Sequence, residues 1–167
     1  ALPICLVTDQ VYEKEHNGVL MISILSHVVE FRNSESGQHV LHIRTLTGLL
    51  LHQLAQKTDR YQLDESDISL ISTASALHDI GKIMIPEEIL NKPGRLTEEE
   101  YATIKTHTTE GARILKELAI GQDEPLVKVA HAICRWHHER WDGGGYPDRL
   151  KGDEIPIAAQ VVALADV

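Results

Sequence analysis

Apolar residues recur along this chain at steps of three and four, in segments separated by short polar, Gly- or Pro-containing breaks. From Gln10 to Arg32, Ile22, Leu25 and Val29 form one stripe, which predicts an amphipathic helix or a short coiled-coil seam. The preceding Ala1–Asp9 stretch, apolar and containing Pro3, reads as a stub of something cut away upstream. Asn33 to Gly37 interrupt with turn formers. A second helix then runs to about Lys57, with Val40, Ile43, Leu46, Leu50 and Leu54 on one face. The polar stretch Thr58–Asp67 offers N-caps for a third helix, through Ile68, Ile71, Ala74 and Leu77 into His78-Asp79. Pro86 and Pro93 forbid an unbroken helix from Ile85 to Gly94, leaving a loop with a short helical turn. Thr97-Glu98-Glu99-Glu100 is a capping box opening a helix to about Leu118, bent near Thr108-Thr109. Pro125 suits the first turn of a helix ending near His138. Glu139–Ile155 is a Gly-rich loop, and Pro156 begins a last helix. No segment alternates convincingly as a strand and none repeats, so the expected fold is an all-α bundle.

Composition narrows the function classes. With 43% hydrophobic residues in 167, the chain can bury a core, and Leu, Ile, Val and Ala in place of aromatics favour packed helices over a β-sandwich. Sixteen basic against 25 acidic residues give a net charge of −9. A nonspecific phosphate-backbone binder carries the opposite sign, which argues against a nucleic-acid polymer as partner. A small phosphate ligand stays open, because bound cations reverse the local field. Cys5 and Cys134 lie far apart, so neither a disulfide framework nor a thiolate zinc site is indicated. No apolar run reaches the roughly 18 residues of a membrane span and no leader is evident, so a soluble cytoplasmic protein with no membrane contact is expected. The ten histidines are the departure from ordinary composition.

Several of those histidines sit beside other metal donors. His78-Asp79 offers an imidazole and a carboxylate together, the mixed set that suits iron, manganese or zinc, although an isolated His-Asp pair is more often an ordinary helix end. His137-His138 close another helix, His107 follows a capped helix start, and Glu35 and His39, four apart, share a face if Glu35 lies in a first helical turn. Asp166 ends the apolar run Val161–Ala165, where a carboxylate is costly to bury unless paired or metal-bound.

The strings HDIGKIMIPEEILNKPGRLTEEE and HHERWDGGGYPDRLKGDEIP, with His107 between them, resemble the HD-GYP domain family, bacterial metal-dependent phosphohydrolases that typically degrade the second messenger cyclic di-GMP. The resemblance covers about residues 34–167. It implies an HD-type helical bundle in that span, with residues 1–33 as an N-terminal linker helix. It implies metal ligation by Glu35, His39, His78, Asp79, His107, His137, His138 and Asp166, with Asp79 bridging. Two or three divalent ions, iron or manganese, follow from that set, Glu35 marking the three-metal form. Lys82 matches the lysine near the scissile phosphate and joins Asp79 as a catalytic residue. Gly145, Tyr146 and Pro147 form the signature loop, expected at the substrate. The physical case stands beside the resemblance: closely spaced divalent ions stabilise phosphodiester cleavage, and a lysine one turn beyond the ligand pair adds positive charge.

Some expectations concern partners and departures. Family members are usually fused to receiver or other sensory domains, so an upstream regulatory domain and a homodimer through the first helix are expected partners, alongside cyclic di-GMP or a related cyclic dinucleotide. Gln160 stands where the family usually has arginine, which would weaken a helix–loop contact, and His42 also replaces an arginine. The chain ends one residue after Asp166, where the family continues with phosphate-holding basic residues, so a truncated catalytic domain is expected. Tyr146 and Trp141 could stack on a guanine or pack on the bundle. Two other functions compete: hydrolysis of a different nucleotide, and nucleotide or partner binding without turnover.

Overall fold

A computed structural model describes residues 2–32, 38–117 and 123–167, with the side chains of the first helix described from residue 17 onwards. The elements are α1 (Leu2–Arg32), α2 (His39–Lys57), α3 (Glu65–Ser75), α4 (Glu87–Leu90), α5 (Glu98–Lys105), α6 (His107–Glu117), α7 (Pro125–Trp136) and α8 (Ile157–Ala165), with single 3-10 turns at Ile80–Met84 and Gly152–Glu154. Among the described residues there is no strand, and the all-α expectation holds. Among the described residues no helix is long and apolar enough to cross a membrane.

Local chemistry explains the helix starts. The Asp64 side chain accepts from Asp67 N (2.8 Å) and the Thr97 hydroxyl from Glu100 N (3.2 Å), each reciprocated by the third residue, so both begin with complete capping boxes. Pro125 sits in the first turn of α7, where its missing N–H costs nothing. The bend expected near Thr108-Thr109 falls at Thr106 instead and separates α5 from α6. There the hydroxyls of Thr103, Thr106 and Thr108 all donate to backbone carbonyls, competing with the helical ladder.

α7 lies at the centre, packing on α3, α6 and α8, while α2 packs on α3 and α8. Ile43, Leu51, Ile71, Ala130, Ile133 and Val162 meet there in one cluster. Each large aliphatic side chain so removed from water contributes about 1.5–3 kcal/mol. Two stripes differ from the periodicity reading. On α2 the buried residues are Val40, Ile43, Thr47 and Leu51, whereas Leu46 is exposed. Leu50 and Leu54 are only partly buried at the edge, because the helix is rotated so that Thr47 faces inward. On α1, Ser26, Val29 and Glu30 are buried and Leu25 is half exposed. The supposed stub is helical from Leu2 onward, continuous with α1. α1 is tied to the bundle by polar bonds: Ser26 Oγ donates to Ala76 O (2.7 Å) and Arg32 Nη1 to Ile83 O (2.6 Å).

One close approach places the site. A Cβ on Gly81 would overlap the His107 carbonyl oxygen and come within 2.5 Å of Gly111 N, so only glycine lets the 3-10 turn lie against the first turn of α6. That contact brings the His78-Asp79 pair alongside His107.

Candidate metal centre

Five chain segments deliver donors to one place. Past Ser75 the backbone tightens into i, i+3 hydrogen bonds, His78 N to Ser75 O and Ile80 N to Leu77 O, which turns His78 and Asp79 inward. His107 opens α6, His137 caps α7 with His138 next, His39 opens α2 and Asp166 caps α8. His107, His137 and His138 form one trio of donors and His39, His78 and Asp166 another, the donor atoms of each lying within 4.8 Å of one another. Asp79 stands between them: its Oδ2 is 3.2 Å from His78 Nε2, and its Oδ1 is 3.3 Å from His107 Nε2 and 3.9 Å from His137 Nε2.

The imidazoles are oriented from behind. His78 Nδ1 lies 2.9 Å from Ser75 O, His107 Nδ1 2.7 Å from Ile104 O, and His137 Nδ1 2.9 Å from Ile133 O. A carbonyl can only accept, so each Nδ1 carries the hydrogen and each Nε2 turns towards the centre, the arrangement in which histidine ligates metal. His78 Nε2 and Asp79 Oδ1 are buried without an aligned hydrogen-bond partner. Buried polar atoms left so are costly, and a cation between them would satisfy both. The donors are imidazole and carboxylate without thiolate. Cys134 lies just behind, fully buried, and donates to Leu77 O. This set fits divalent first-row ions.

The electrostatics separate the two trios. Burial and the neighbouring histidines lower the pKa of His137 well below the usual histidine range and that of His138 to about 4; burial also lowers His107. These three therefore present neutral nitrogens near pH 7. Burial disfavours charge on His78 too, but the carboxylates of Asp79 and Asp166 overcome it and raise its pKa to about 10. Although burial opposes its ionisation, Asp79 is held well below the usual carboxylate range by His78, then Lys82 and His137. Lys82 Nζ is 2.6 Å from Asp79 Oδ2, on the i, i+3 step expected of it.

The signature loop packs on the ligands. The Tyr146 ring stacks on His138, centroids 4.9 Å apart and planes 27° from parallel, and burial pushes its phenol pKa up. Gly145 allows this, since a Cβ there would overlap Arg140 N and sit 2.5 Å from Glu139 Cα. Trp141 is exposed. Arg135 holds Asp148 with two bonds of 2.7 and 2.8 Å, and Trp136 Nε1 adds a third at 2.8 Å, fixing the loop to α7.

Most residues singled out in the sequence thus converge, but not all are placed. Glu35 lies outside the described residues. His42 is exposed, and Gln160 makes a helix–loop bond of its own, Nε2 to Ile155 O at 2.7 Å. His131 meets Trp136 edge-on, away from the centre. Two buried carboxylates escaped the sequence reading. Glu30 of α1 accepts from Val40 N (2.7 Å) beside His39, and Glu139 accepts from Asp148 N (2.7 Å) and Arg149 N (3.0 Å). The only signal for Glu30 was an acid within the apolar run Val28-Val29-Glu30-Phe31.

The HD domain family matches residues 20–167. The chain is 42% identical over 143 residues to the 3'3'-cGAMP-specific phosphodiesterase 2 of Vibrio cholerae, a match covering 86% of this chain and 25% of that protein. It is 40% identical over 146 residues to the cyclic di-GMP phosphodiesterase of Thermotoga maritima, covering 87% and 37%. It is 38% identical over 159 residues to the cyclic di-GMP phosphodiesterase response regulator RpfG of Xanthomonas campestris, covering 95% and 38%. The chain thus spans between a quarter and two-fifths of the length of these relatives. With the family matched over most of its length and the HDIGK and GYP strings seated at one His- and Asp-lined centre, this chain belongs to the HD domain family, in its HD-GYP branch.

Proposed function

We propose that this chain is the catalytic part of a metal-dependent phosphodiesterase that hydrolyses cyclic di-GMP to pGpG and onward to GMP. The observation that carries the reading is the pair of buried donors without aligned partners, His78 Nε2 and Asp79 Oδ1, where two donor trios meet. In this reading His107, His137 and His138 would hold one divalent ion and His39, His78 and Asp166 a second, with Asp79 available to both. Glu35 would serve a third, as the family resemblance implies. Iron or manganese suits these donors. Such ions, when bound, supply Lewis-acid stabilisation of the phosphoryl oxygens and an activated water.

The chain's own groups do the rest. Lys82, anchored by Asp79, carries a cation to the edge of the centre, where it stabilises developing charge or gives its proton to the leaving oxygen. Tyr146 holds His138 in place through its stacked ring. Residues 34–167 form the catalytic domain. α1 links it to an upstream sensory or receiver domain, and its exposed Ile24, Val28 and Phe31 support a contact with a second copy.

The relatives named for 3'3'-cGAMP favour a second reading, in which that mixed dinucleotide is the substrate. Side-by-side turnover of cyclic di-GMP and 3'3'-cGAMP by metal-loaded protein separates the two. In either case Asp79→Ala and His138→Ala abolish hydrolysis while helical content is largely retained. Wild-type rates in either variant would refute the ligand assignments.

A further inference from the structure

Beside the donor cluster, on the outer side of Tyr146, lies a cleft of about 730 Å³ between α5, the start of α6 and the signature loop. Its volume falls in the range of small-molecule sites. Its walls combine four chemical elements. Tyr101, half exposed on α5, contributes an aromatic ring. Tyr146 closes the inner end and is the direct link to the centre through its stacking on His138. Lys105 stands between the two rings, its Nζ 5.0 Å from the Tyr101 centroid and 5.8 Å from that of Tyr146. Arg149 occupies the far lip in a left-handed conformation (φ 59°), held there by the bond from its N–H to buried Glu139.

The charge pattern of the cleft is one-sided. No carboxylate lines it, and neither Lys105 nor Arg149 has an acidic partner among the described residues. Lys and Arg side chains donate hydrogen bonds and cannot accept them. Such a site fits a flat ring whose exposed edge carries acceptors. Guanine offers two on one edge, O6 and N7, whereas adenine pairs the N7 acceptor with an N6 donor, which two donors would leave unsatisfied. Stacking on a tyrosine accommodates either purine and does not discriminate.

We infer that this cleft receives one guanine nucleoside of the dinucleotide substrate, with Tyr101 as the stacking platform and Lys105 and Arg149 as the residues that select guanine over adenine. The inference rests on the phosphodiesterase reading for the substrate, and it adds the subsite and the origin of its base preference. Among the described residues, no hydrogen bond or ion pair joins the side chains of Tyr101, Lys105 or Arg149 to a donor of the centre, so they act on binding and selectivity while the hydrolytic groups stay in place.

The test uses the full-length, metal-loaded protein with Tyr101→Ala, Tyr101→Phe, Lys105→Met and Arg149→Gln. KM and kcat are measured for cyclic di-GMP and cyclic di-AMP, and equilibrium binding for GMP and AMP. Lys105→Met and Arg149→Gln each raise KM for cyclic di-GMP about tenfold, with a smaller change in kcat, and shrink the preference for GMP over AMP. Tyr101→Ala weakens GMP and AMP alike, and Tyr101→Phe restores both. GMP binding insensitive to all four substitutions, absent GMP binding in the wild type, or an undiminished GMP/AMP ratio in both cation variants would overturn the inference. A wild-type protein that binds GMP through these residues yet hydrolyses no cyclic dinucleotide refutes the phosphodiesterase reading and leaves the purine subsite standing.

Discussion

Substituting Gly81 by alanine tests the packing that assembles the centre without touching any donor. The added methyl would overlap the His107 carbonyl oxygen and lie 2.5 Å from Gly111 N, and both obstacles are backbone atoms that cannot rotate aside. Gly111 cannot yield freely, because a Cβ there would already be 3.3 Å from Cys134 Cβ of α7. Two effects compete. Alanine loses less conformational entropy than glycine in a helical turn, a gain of at most about 1 kcal/mol. Forcing a methyl into a filled contact costs about 1–3 kcal/mol, and the backbone character of the neighbours puts this case at the upper end. The net expectation is a loss of about 2 kcal/mol. With a urea m-value of about 2 kcal/mol/M, the unfolding midpoint falls by roughly 1 M, readable by circular dichroism. Relief of the overlap separates the 3-10 turn from α6 and moves Asp79 away from His107 Nε2, so divalent-metal affinity falls in the same variant. A midpoint equal to wild type, or a lowered midpoint with unchanged metal affinity, would refute the view that this glycine contact sets the spacing of the two trios.

Three further predictions rest on the electrostatics and the loop. Because the metal-free pKa of His78 is raised to about 10, this imidazole is protonated near pH 7.5 and must lose its proton to ligate. Calorimetric titration of metal in buffers of different ionisation heat should therefore show about one proton released as the His39, His78, Asp166 trio fills, with affinity rising from pH 6 to 9. By the same linkage, His78 stabilises the metal-free fold fully below about pH 6.5 and loses that contribution as pH rises through about 10, so the metal-free melting temperature should fall at the alkaline end. Proton release of zero near pH 7.5 would contradict the assignment. Glu139→Ala removes the acceptor for Asp148 N and Arg149 N inside the bundle, and hydrogen bonds to a charged group of this kind contribute about 1.5–3 kcal/mol. It should destabilise the chain by about that much and raise protease sensitivity near Arg149; an unchanged unfolding midpoint would show that the loop is held by Asp148 alone.

The amino-acid sequence alone determined the helices and the identity of most donors, for identifiable reasons. The capping box at Thr97 and the proline at 125 are local signals, legible over a few residues, whereas the polar run before Ile68 offered several caps and the structure selects Asp64. The HD and HH pairs, with His107 between, carry their chemistry in residue type, and the family strings around them supply the partners that spacing alone could not. Tertiary structure decided what depends on rotation and approach. Whether Leu46 or Thr47 faces inward depends on how α2 rolls against α3 and α8, which periodicity sets only to within a residue. That two donor trios meet across Asp79 depends on Gly81 admitting α6 at backbone contact, a distance between segments far apart in sequence. Glu30 and Glu139 are ordinary acids in the linear chain, and burial alone turns them into anchors for the backbone beside His39 and Arg149. The cleft of Tyr101, Lys105 and Arg149 belongs to the same class, since a shared wall is a property of packing that no single stretch of residues contains.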